Sequence, residues 1–386
     1  MNKDLKKLAI IFFKLGLIGF GGPAAHIAMM EDEVVNRRQW ITKEYFLDLI
    51  GATNLIPGPN STEMAIHIGY IRAGLTGLII AGVCFIFPAV LITTGFAWVY
   101  VKFGNLPQIS PLFYGIKSVV IAIIFTALWR LAKSAIKSQK LLFISLFIGI
   151  VAFSGLNEVT AIILGGFIGM LILMIEKTPI SGAIILPFTT ATTLTTVSFS
   201  NSTSIVNVSL WQLGLFFLKI GCVLYGGGYV LVAFLQSGLV EELKWLTQQQ
   251  LLDAVAIGQF TPGPISSTAT FIGYVIAGIP GAIVATVGIF LPSFIFVLIL
   301  NPLIPRLRSS KLMSAFLDAV NVSALSLMAV VTIKLGLAII FSNNSIDWVA
   351  GFIAFLAGVI LMKWKINAAW IVLGGAIIGL IFDVVF

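Results

Sequence analysis

The feature that most constrains this sequence is an internal repeat, because two copies of one unit must fold in closely related ways. The segment Phe12 to Gly22 (FFKLGLIGFGG) recurs as Phe217 to Gly227 (FLKIGCVLYGG), 205 residues further on. Later matches keep this register or one shifted by a single residue: Trp40 and Trp245, Asp48 and Asp253, Pro57-Gly58-Pro59 and Pro262-Gly263-Pro264, Gly69-Tyr70 and Gly273-Tyr274, Pro88 and Pro292. The sequence therefore predicts an N-terminal membrane repeat at residues 1–176, a linker at 177–206 and a C-terminal membrane repeat at 207–386.

Long apolar runs place both repeats in a lipid bilayer. Hydrophobic residues make up 59% of the 386-residue chain and charged ones 10%, and the mean hydropathy is +1.08. Runs such as Ala73 to Tyr100 and Pro111 to Leu131 can span a hydrocarbon core of about 30 Å as helices. The chain is therefore expected to be an all-α polytopic protein that crosses the inner (plasma) membrane of the cell several times.

The basic residues predict that the two repeats have opposite orientations, because cytoplasmic loops collect Lys and Arg. One loop of the first repeat carries Arg130, Lys133, Lys137 and Lys140, whereas its counterpart at 341–346 has no basic residue. Conversely, Arg306, Arg308 and Lys311 crowd a loop whose first-repeat counterpart holds only Lys102. This swapped bias favours inverted-topology repeats. The collection of basic residues in cytoplasmic loops also accounts for the net charge of +8. A nucleic-acid partner is therefore not expected.

The number of membrane segments is expected to lie between ten and thirteen. If every apolar stretch spans the bilayer, each repeat has six segments and the linker supplies one more. If the Pro-Gly-Pro segments are re-entrant, five crossings per repeat remain, which also invert naturally.

Each Pro-Gly-Pro is predicted to divide a longer segment, Lys43 to Arg72 or Gln248 to Ala277, into two half-helices, because proline removes a helical donor and clashes with the preceding turn. The new helix start after the second proline offers free N–H groups and partial positive charge to an oxyanion. Polar side chains at these starts are candidate substrate-binding residues: Asn60, Ser61, Thr62, Ser266, Ser267 and Thr268. The alternative is a plain helix kink. Asn60 and Glu63 have the spacing of a capping box.

Glycines and ionisable residues supply further candidates. Gly21, Gly22, Gly226 and Gly227 either allow close helix packing or turn backbone N–H groups towards a bound anion.

Ionisable residues inside apolar segments are costly and point to function. Those present in both repeats are Lys14, Asp48, Lys219 and Asp253. We expect these four residues either to form the ion pairs Lys14–Asp48 and Lys219–Asp253 or to act as counter-charges or proton carriers. Glu63 and His67 share one helix face and have no counterpart in the second repeat, so they are candidates for proton coupling; a capping role for Glu63 and a structural role for His67 are the alternatives.

In several of these motifs the sequence resembles the chromate ion transporter family in its two-domain form. The resemblance rests on the FGGP element at Phe20 to Pro23, on His26, Arg37, Arg38 and Trp40, on Pro-Gly-Pro followed by hydroxyl residues, and on Arg72-Ala73-Gly74. It implies a secondary transporter that exports chromate, with sulfate as an analogue. It also adds Gln259 as a substrate-binding residue, and Asn54 at the matching position of the first repeat.

The remaining expectations concern chemistry and partners. The expected partners are a chromate-like or sulfate-like oxyanion, the lipid bilayer, protons as coupling ion and a second copy of the chain. A transporter of another small anion and an anion channel remain alternatives. No cofactor, metal site or catalytic residue is expected, because the chain contains only two histidines, His26 and His67, and no metal-binding motif.

Overall fold

A computed structural model describes residues 3–104, 110–154, 157–175, 208–225, 228–300, 310–342, 345–364 and 366–385. The chain is helical, as predicted, apart from a short hairpin of β1 (Phe341–Ser342) and β2 (Ser345–Ile346) among these residues. The predicted linker at 177–206 lies outside the described residues, and the division into repeats stays a prediction.

Within the described residues, seven helices precede the linker. They are α1 (Lys3–Ile18), α2 (Pro23–Glu31), α3 (Lys43–Thr53), α4 (Asn60–Phe103), α5 (Ser110–Ala135), α6 (Gln139–Phe153) and α7 (Glu158–Ile175), with a π-helical segment at Asp32–Arg37. Seven more follow it. They are α8 (Leu210–Val223), α9 (Leu231–Leu235), α10 (Gln248–Phe260), α11 (Thr268–Leu300), α12 (Lys311–Ile340), α13 (Trp348–Lys363) and α14 (Ala368–Val385), with a π-helical segment at Gln236–Glu242 and a 3₁₀ turn at Ile265–Ser267.

Four stretches of the described residues are long and apolar enough to cross a membrane: Asn60–Phe103, Pro111–Ala135, Ile265–Ile299 and Leu312–Ile340. Five shorter apolar helices accompany them. Large apolar side chains such as Phe143, Ile150 and Phe355 lie on the outside and are at least 69% exposed. A surface of this kind suits contact with lipid, so the chain is a multi-pass membrane protein.

The long helices α4 and α11 each reverse direction at an Ala-Gly pair, which the sequence analysis did not anticipate. Gly74 has φ 60° and Gly278 has φ 62°, and the preceding alanines also leave the helical region. A Cβ atom on Gly69 would collide with the carbonyl oxygen of Gly77, although eight residues of continuous helix would separate them by about 12 Å. Each helix is therefore a tight hairpin of a short first arm and a long second arm.

Two further reversals bring the ends of the early helices together. Arg72, at the end of the first arm of α4, contacts Asp4 at 2.9 Å and lies 5.1 Å from the Trp40 ring centre, just before α3. Lys43, at the start of α3, lies 3.6 Å from Glu31 at the end of α2. The chain therefore runs from this end to a break and returns to it twice, which agrees with the re-entrant alternative for the Pro-Gly-Pro segment.

The matching helices α5 and α12 pack against each other in opposite directions. Just after α5, Lys137 contacts Asp318 near the start of α12 at 2.7 Å. The Tyr114 hydroxyl, near the start of α5, donates to Asp347 beyond the end of α12 at 2.7 Å. The mixed core that includes Val120, Ile123 and Phe271 is built from residues on both sides of the linker.

Candidate functional site

The first Pro-Gly-Pro separates α3 from α4, as the sequence predicts, but the new helix is not capped as expected. Asn60 is the first residue of α4 and Pro59 holds the cap position, so no side-chain cap is present. The Asn60 amide instead donates to the Asn54 side-chain oxygen across the break at 2.8 Å. The predicted capping box of Asn60 and Glu63 is therefore wrong, because the asparagine sits one position too far into the helix to cap it.

Glu63 is completely buried at this break. The Ser293 hydroxyl of α11 lies 3.4 Å from its Oε1, and a Cβ on Gly58 would collide with both side chains. Only glycine fits here, since φ is 144° at Gly58. A carboxyl group in this position is shielded from water and is held by a residue of the second half of the chain.

The other polar residues at the start of α4 are also buried. Ser61 is 1% exposed, and Thr62 and His67 are fully buried. No described residue offers a hydrogen-bond partner to the Thr62 hydroxyl. The helix face that carries Glu63 and His67 is therefore directed into the protein and not towards lipid.

The second Pro-Gly-Pro separates α10 from the 3₁₀ turn that leads into α11. The Thr268 hydroxyl donates to the Ile265 carbonyl at 2.8 Å, and the Thr93 hydroxyl of α4 donates to Ser267 at 3.4 Å. The Ser266 hydroxyl and the Gln259 amide nitrogen are buried, and neither has a hydrogen-bond partner among the described residues. Thus two of the predicted substrate-binding residues at this break retain unused polar groups, whereas Ser267 and Thr268 bond within the protein.

Each Pro-Gly-Pro break is joined by a backbone hydrogen bond to the glycine-rich break of the other half. The Gly58 N–H donates to the Leu224 carbonyl at 2.8 Å, and the Gly263 N–H donates to the Gly19 carbonyl at 2.7 Å. Gly19 and Leu224 follow α1 and α8 and are themselves equivalent at the offset of 205 residues. Each Pro-Gly-Pro is therefore fixed against the glycine-rich break of the other half, so all four breaks meet in one region.

Of the glycine-rich elements, the first is described in full and lies beside the second Pro-Gly-Pro. A Cβ on Gly22 would lie 3.2 Å from the Tyr229 hydroxyl and 3.5 Å from Ile265. Gly21 precedes it in the same break. His26 Nε2 lies 2.9 Å from the Gly19 carbonyl, which supports the turn. Gly226 and Gly227 lie outside the described residues.

A buried ion pair was missed by the sequence analysis. The Asp253 carboxylate of α10 lies 3.2 Å from the Lys117 ammonium of α5 and accepts a 2.8 Å hydrogen bond from the Tyr100 hydroxyl of α4. The predicted Lys219–Asp253 pair is therefore wrong: Lys219 is exposed, whereas Asp253 is buried against the first half. The signal was present, because Lys117 is an ionisable residue inside an apolar run.

The remaining ionisable candidates lie away from this region. Lys14 and Asp48 are both exposed, and their pairing stays a prediction. Within the described residues there is no group of three His, Cys, Asp or Glu that could hold a metal ion. In the described part of the chain, the polar groups at the breaks are hydroxyls, amides, backbone N–H groups, the His26 imidazole and the Glu63 carboxyl.

These features define a helical membrane protein whose broken helices bring buried polar groups together in its interior. The sequence model of the chromate transporter family matches residues 6–170 and 211–380. The chain therefore belongs to the chromate transporter family, and its general function is membrane transport.

Relatives agree with this assignment over nearly the whole chain. A chromate transport protein of Cupriavidus metallidurans is 34% identical over 382 residues, covering 98% of this chain and 93% of the relative. A probable chromate transport protein of Synechococcus elongatus is 31% identical, with 98% and 96% covered. A chromate transport protein of Pseudomonas aeruginosa is 28% identical, with 95% and 90% covered. These relatives are named as transport proteins and not as enzymes. No solved structure matches the chain.

Proposed function

We propose that this protein is a secondary active transporter that exports a tetrahedral oxyanion, chromate with sulfate as an analogue, through the region where the four breaks meet. The observation that carries the proposal is the reciprocal pair of hydrogen bonds from Gly58 to Leu224 and from Gly263 to Gly19. Backbone breaks at membrane depth are tolerated where they are buried in protein or line a polar cavity. Discontinuous helices that meet between two repeats are a recurrent design of transporter binding sites.

The proposed architecture is a pair of inverted repeats. Its support is the opposite direction of α5 and α12 and the near-identical turns at Gly74 and Gly278. Two long arms that turn at equivalent positions and run in opposite directions suit a pseudo-two-fold axis in the membrane plane. Such an axis places the two Pro-Gly-Pro helix starts on either side of one central site.

The two Pro-Gly-Pro breaks are proposed to have different roles, the second in anion binding and the first in proton coupling. The second break supplies the unused Ser266 hydroxyl and Gln259 amide together with the N–H groups of a helix start, all of which can donate to an oxyanion. The first break holds Glu63, whose negative form would repel a dianion. Proton binding at Glu63 would remove this repulsion, so Glu63 is the proposed site of proton coupling and His67 lies one turn further along the same face.

The proposed direction is consistent with the energetics of the membrane. Moving a dianion out of a negative interior gains roughly 4.6 kcal/mol per 100 mV, twice the value for one charge. Export of the dianion alone therefore needs no additional driving ion. A proton carried with the dianion would halve this gain, because the net charge moved would fall to one. Import would instead require a coupled cation or a counter-anion.

Flux measurements in proteoliposomes, with chromate and sulfate under imposed pH and voltage gradients, test the function. The Ser267 hydroxyl accepts from Thr93 and keeps its own proton to donate, so it can contact the oxyanion together with Ser266. The double variant Ser266→Ala, Ser267→Ala is expected to raise the apparent KM for the oxyanion about tenfold, because two hydroxyl contacts at roughly 0.5–1.5 kcal/mol each are lost. Ser323→Ala is the control, since this buried hydroxyl of α12 bonds the Ala319 carbonyl. An unchanged KM would remove the second helix start from the site, and conductance without saturation would indicate a channel.

A further inference from the structure

A polar cavity of about 520 Å³ lies beside the first Pro-Gly-Pro. Its polar lining comes from both halves of the chain and includes Asn54, Asn60, Ser134, Lys137, Asp318 and Asn321. Asn54 and Asn60 belong to the break itself, whereas Asp318 and Asn321 lie on α12. The cavity therefore leads from the end of α5 and the start of α12 to the first break.

The charged residues of this cavity lie at its exposed mouth and form an ion pair. Lys137 is 61% exposed in its side chain and Asp318 is 29% exposed, and their ion pair measures 2.7 Å. Asp318 therefore neutralises Lys137 when no ligand is present. Deeper in the cavity, Asn60 donates to Asn54, and the Asn321 amide is a further group that can donate to an oxyanion.

Within the described residues, the equivalent position in the other half has a different lining. At an offset of 204 residues, Asn321 corresponds to Lys117, whose charge is held by Asp253. The cavity there, of about 340 Å³, is lined by apolar and aromatic side chains such as Phe113 and Phe260, with Tyr100. An anion would meet hydrophobic walls and a buried ion pair on that side, but amides and a more exposed ion pair on this one.

We propose that the polar cavity is the access subsite for the oxyanion on the side of the basic loops. The Lys137 ammonium and the Asn321 amide receive the tetrahedral dianion before it reaches the first break, and the Asp318 carboxylate competes with the dianion for Lys137. This inference rests on the proposed function, since it assumes that the protein carries an oxyanion. It adds two residues of the second half, Asp318 and Asn321, to the substrate path.

The competition predicts opposite effects of the two charge-removing variants. Asp318→Asn frees Lys137 and is expected to lower the apparent KM for chromate about two- to fivefold, whereas Lys137→Gln is expected to raise it by a similar factor, the range for exposed charged contacts. A purely structural ion pair would give changes in the same direction. Asn321→Leu removes the amide at similar volume and is expected to raise the KM with little change in the maximal rate.

The measurement is initial chromate uptake into inside-out membrane vesicles that contain the full chain, because these present the basic loops to the medium. Lys133→Gln is the matched control: it removes one charge from the same helix end, where Lys133 lies over the Trp129 ring and not in the cavity lining. A wild-type chain that moves neither chromate nor sulfate would overturn the proposed function. Normal wild-type uptake with equal, same-direction or absent effects of Asp318→Asn and Lys137→Gln, or with an unchanged KM in Asn321→Leu, would overturn the access subsite alone.

Discussion

At the residue scale, Glu63 is distinguished by its complete burial. It lies beside a backbone break that is proposed to contribute to an anion-binding site. The Ser293 hydroxyl and the Gly58 backbone lie against its carboxyl group, and neither supplies a positive charge. A buried carboxyl group is costly when it is ionised. Its presence at this point is more readily explained by proton exchange during transport than by a gain in stability.

Glu63→Gln tests this role, because glutamine keeps the shape of the side chain but cannot bind or release a proton. An imposed pH gradient is expected to drive oxyanion flux in wild-type proteoliposomes and to lose this effect in the variant, while flux down the oxyanion gradient persists. Glu44→Gln, in the exposed first turn of α3, is the control and should behave as the wild type. Flux of Glu63→Gln with the wild-type pH dependence would end the hypothesis.

At the element scale, the tight hairpins of α4 and α11 depend on glycines that face each other. Gly69 and Gly77 meet across the first hairpin, and Gly273 and Gly281 meet in the same way across the second. Small residues allow two helices inside a membrane to approach until their backbones touch. The two long arms run in opposite directions, because Leu78 near the start of one packs with Val297 near the end of the other. The two hairpin turns therefore lie at opposite ends of the packed arms.

Gly77→Ala is expected to destabilise the protein by about 1–3 kcal/mol, because the added methyl group overpacks the hairpin against the Gly69 carbonyl. Gly95→Ala lies in the same helix with no neighbour within 4 Å of the new atom and should be neutral or stabilising by up to about 1 kcal/mol. Unfolding in detergent micelles measures both changes. Equal effects of the two substitutions would contradict the close packing of the hairpin.

Sequence reasoning reached these elements only in part. Proline chemistry is local, so the breaks after Thr53 and Phe260 could be predicted from the motif alone. The reversal at Ala73-Gly74 could not, because a glycine inside an apolar helical run is usually tolerated and nothing local distinguishes a hairpin from a straight helix. The capping of α4 also escaped prediction, since a shift of one residue at a helix start decides whether Asn60 caps the helix or bridges to Asn54.

At the scale of the whole molecule, contacts between the halves decide which residues act together, and these contacts cannot be seen from spacing within one repeat. The sequence paired Asp253 with Lys219 because both recur with Asp48 and Lys14. In the fold, Asp253 of α10 instead meets Lys117 of α5 and Tyr100 of α4. This cluster joins the two halves at a position remote from the second Pro-Gly-Pro along α10.

A double-mutant cycle measures how much this pair holds the halves together. Lys117→Met or Asp253→Asn alone leaves a buried charge without its partner and is expected to lower the free energy of unfolding by about 3–5 kcal/mol. The side chains are only 8% and 4% exposed, so water can do little to compensate. The double variant should recover most of the loss, because it removes both charges.

The exposed pair Lys334 and Glu241 provides the matched cycle, since their side chains are 35% and 42% exposed and screened pairs contribute about 0–1 kcal/mol. Chemical unfolding of the full chain in detergent micelles reports all of these changes. Additive effects of Lys117→Met and Asp253→Asn would show that the two residues do not act as a pair. A large coupling energy would instead show that this cluster holds the two halves together. The proposed transport cycle would then have to move other parts of the interface, or break this ion pair in each turnover.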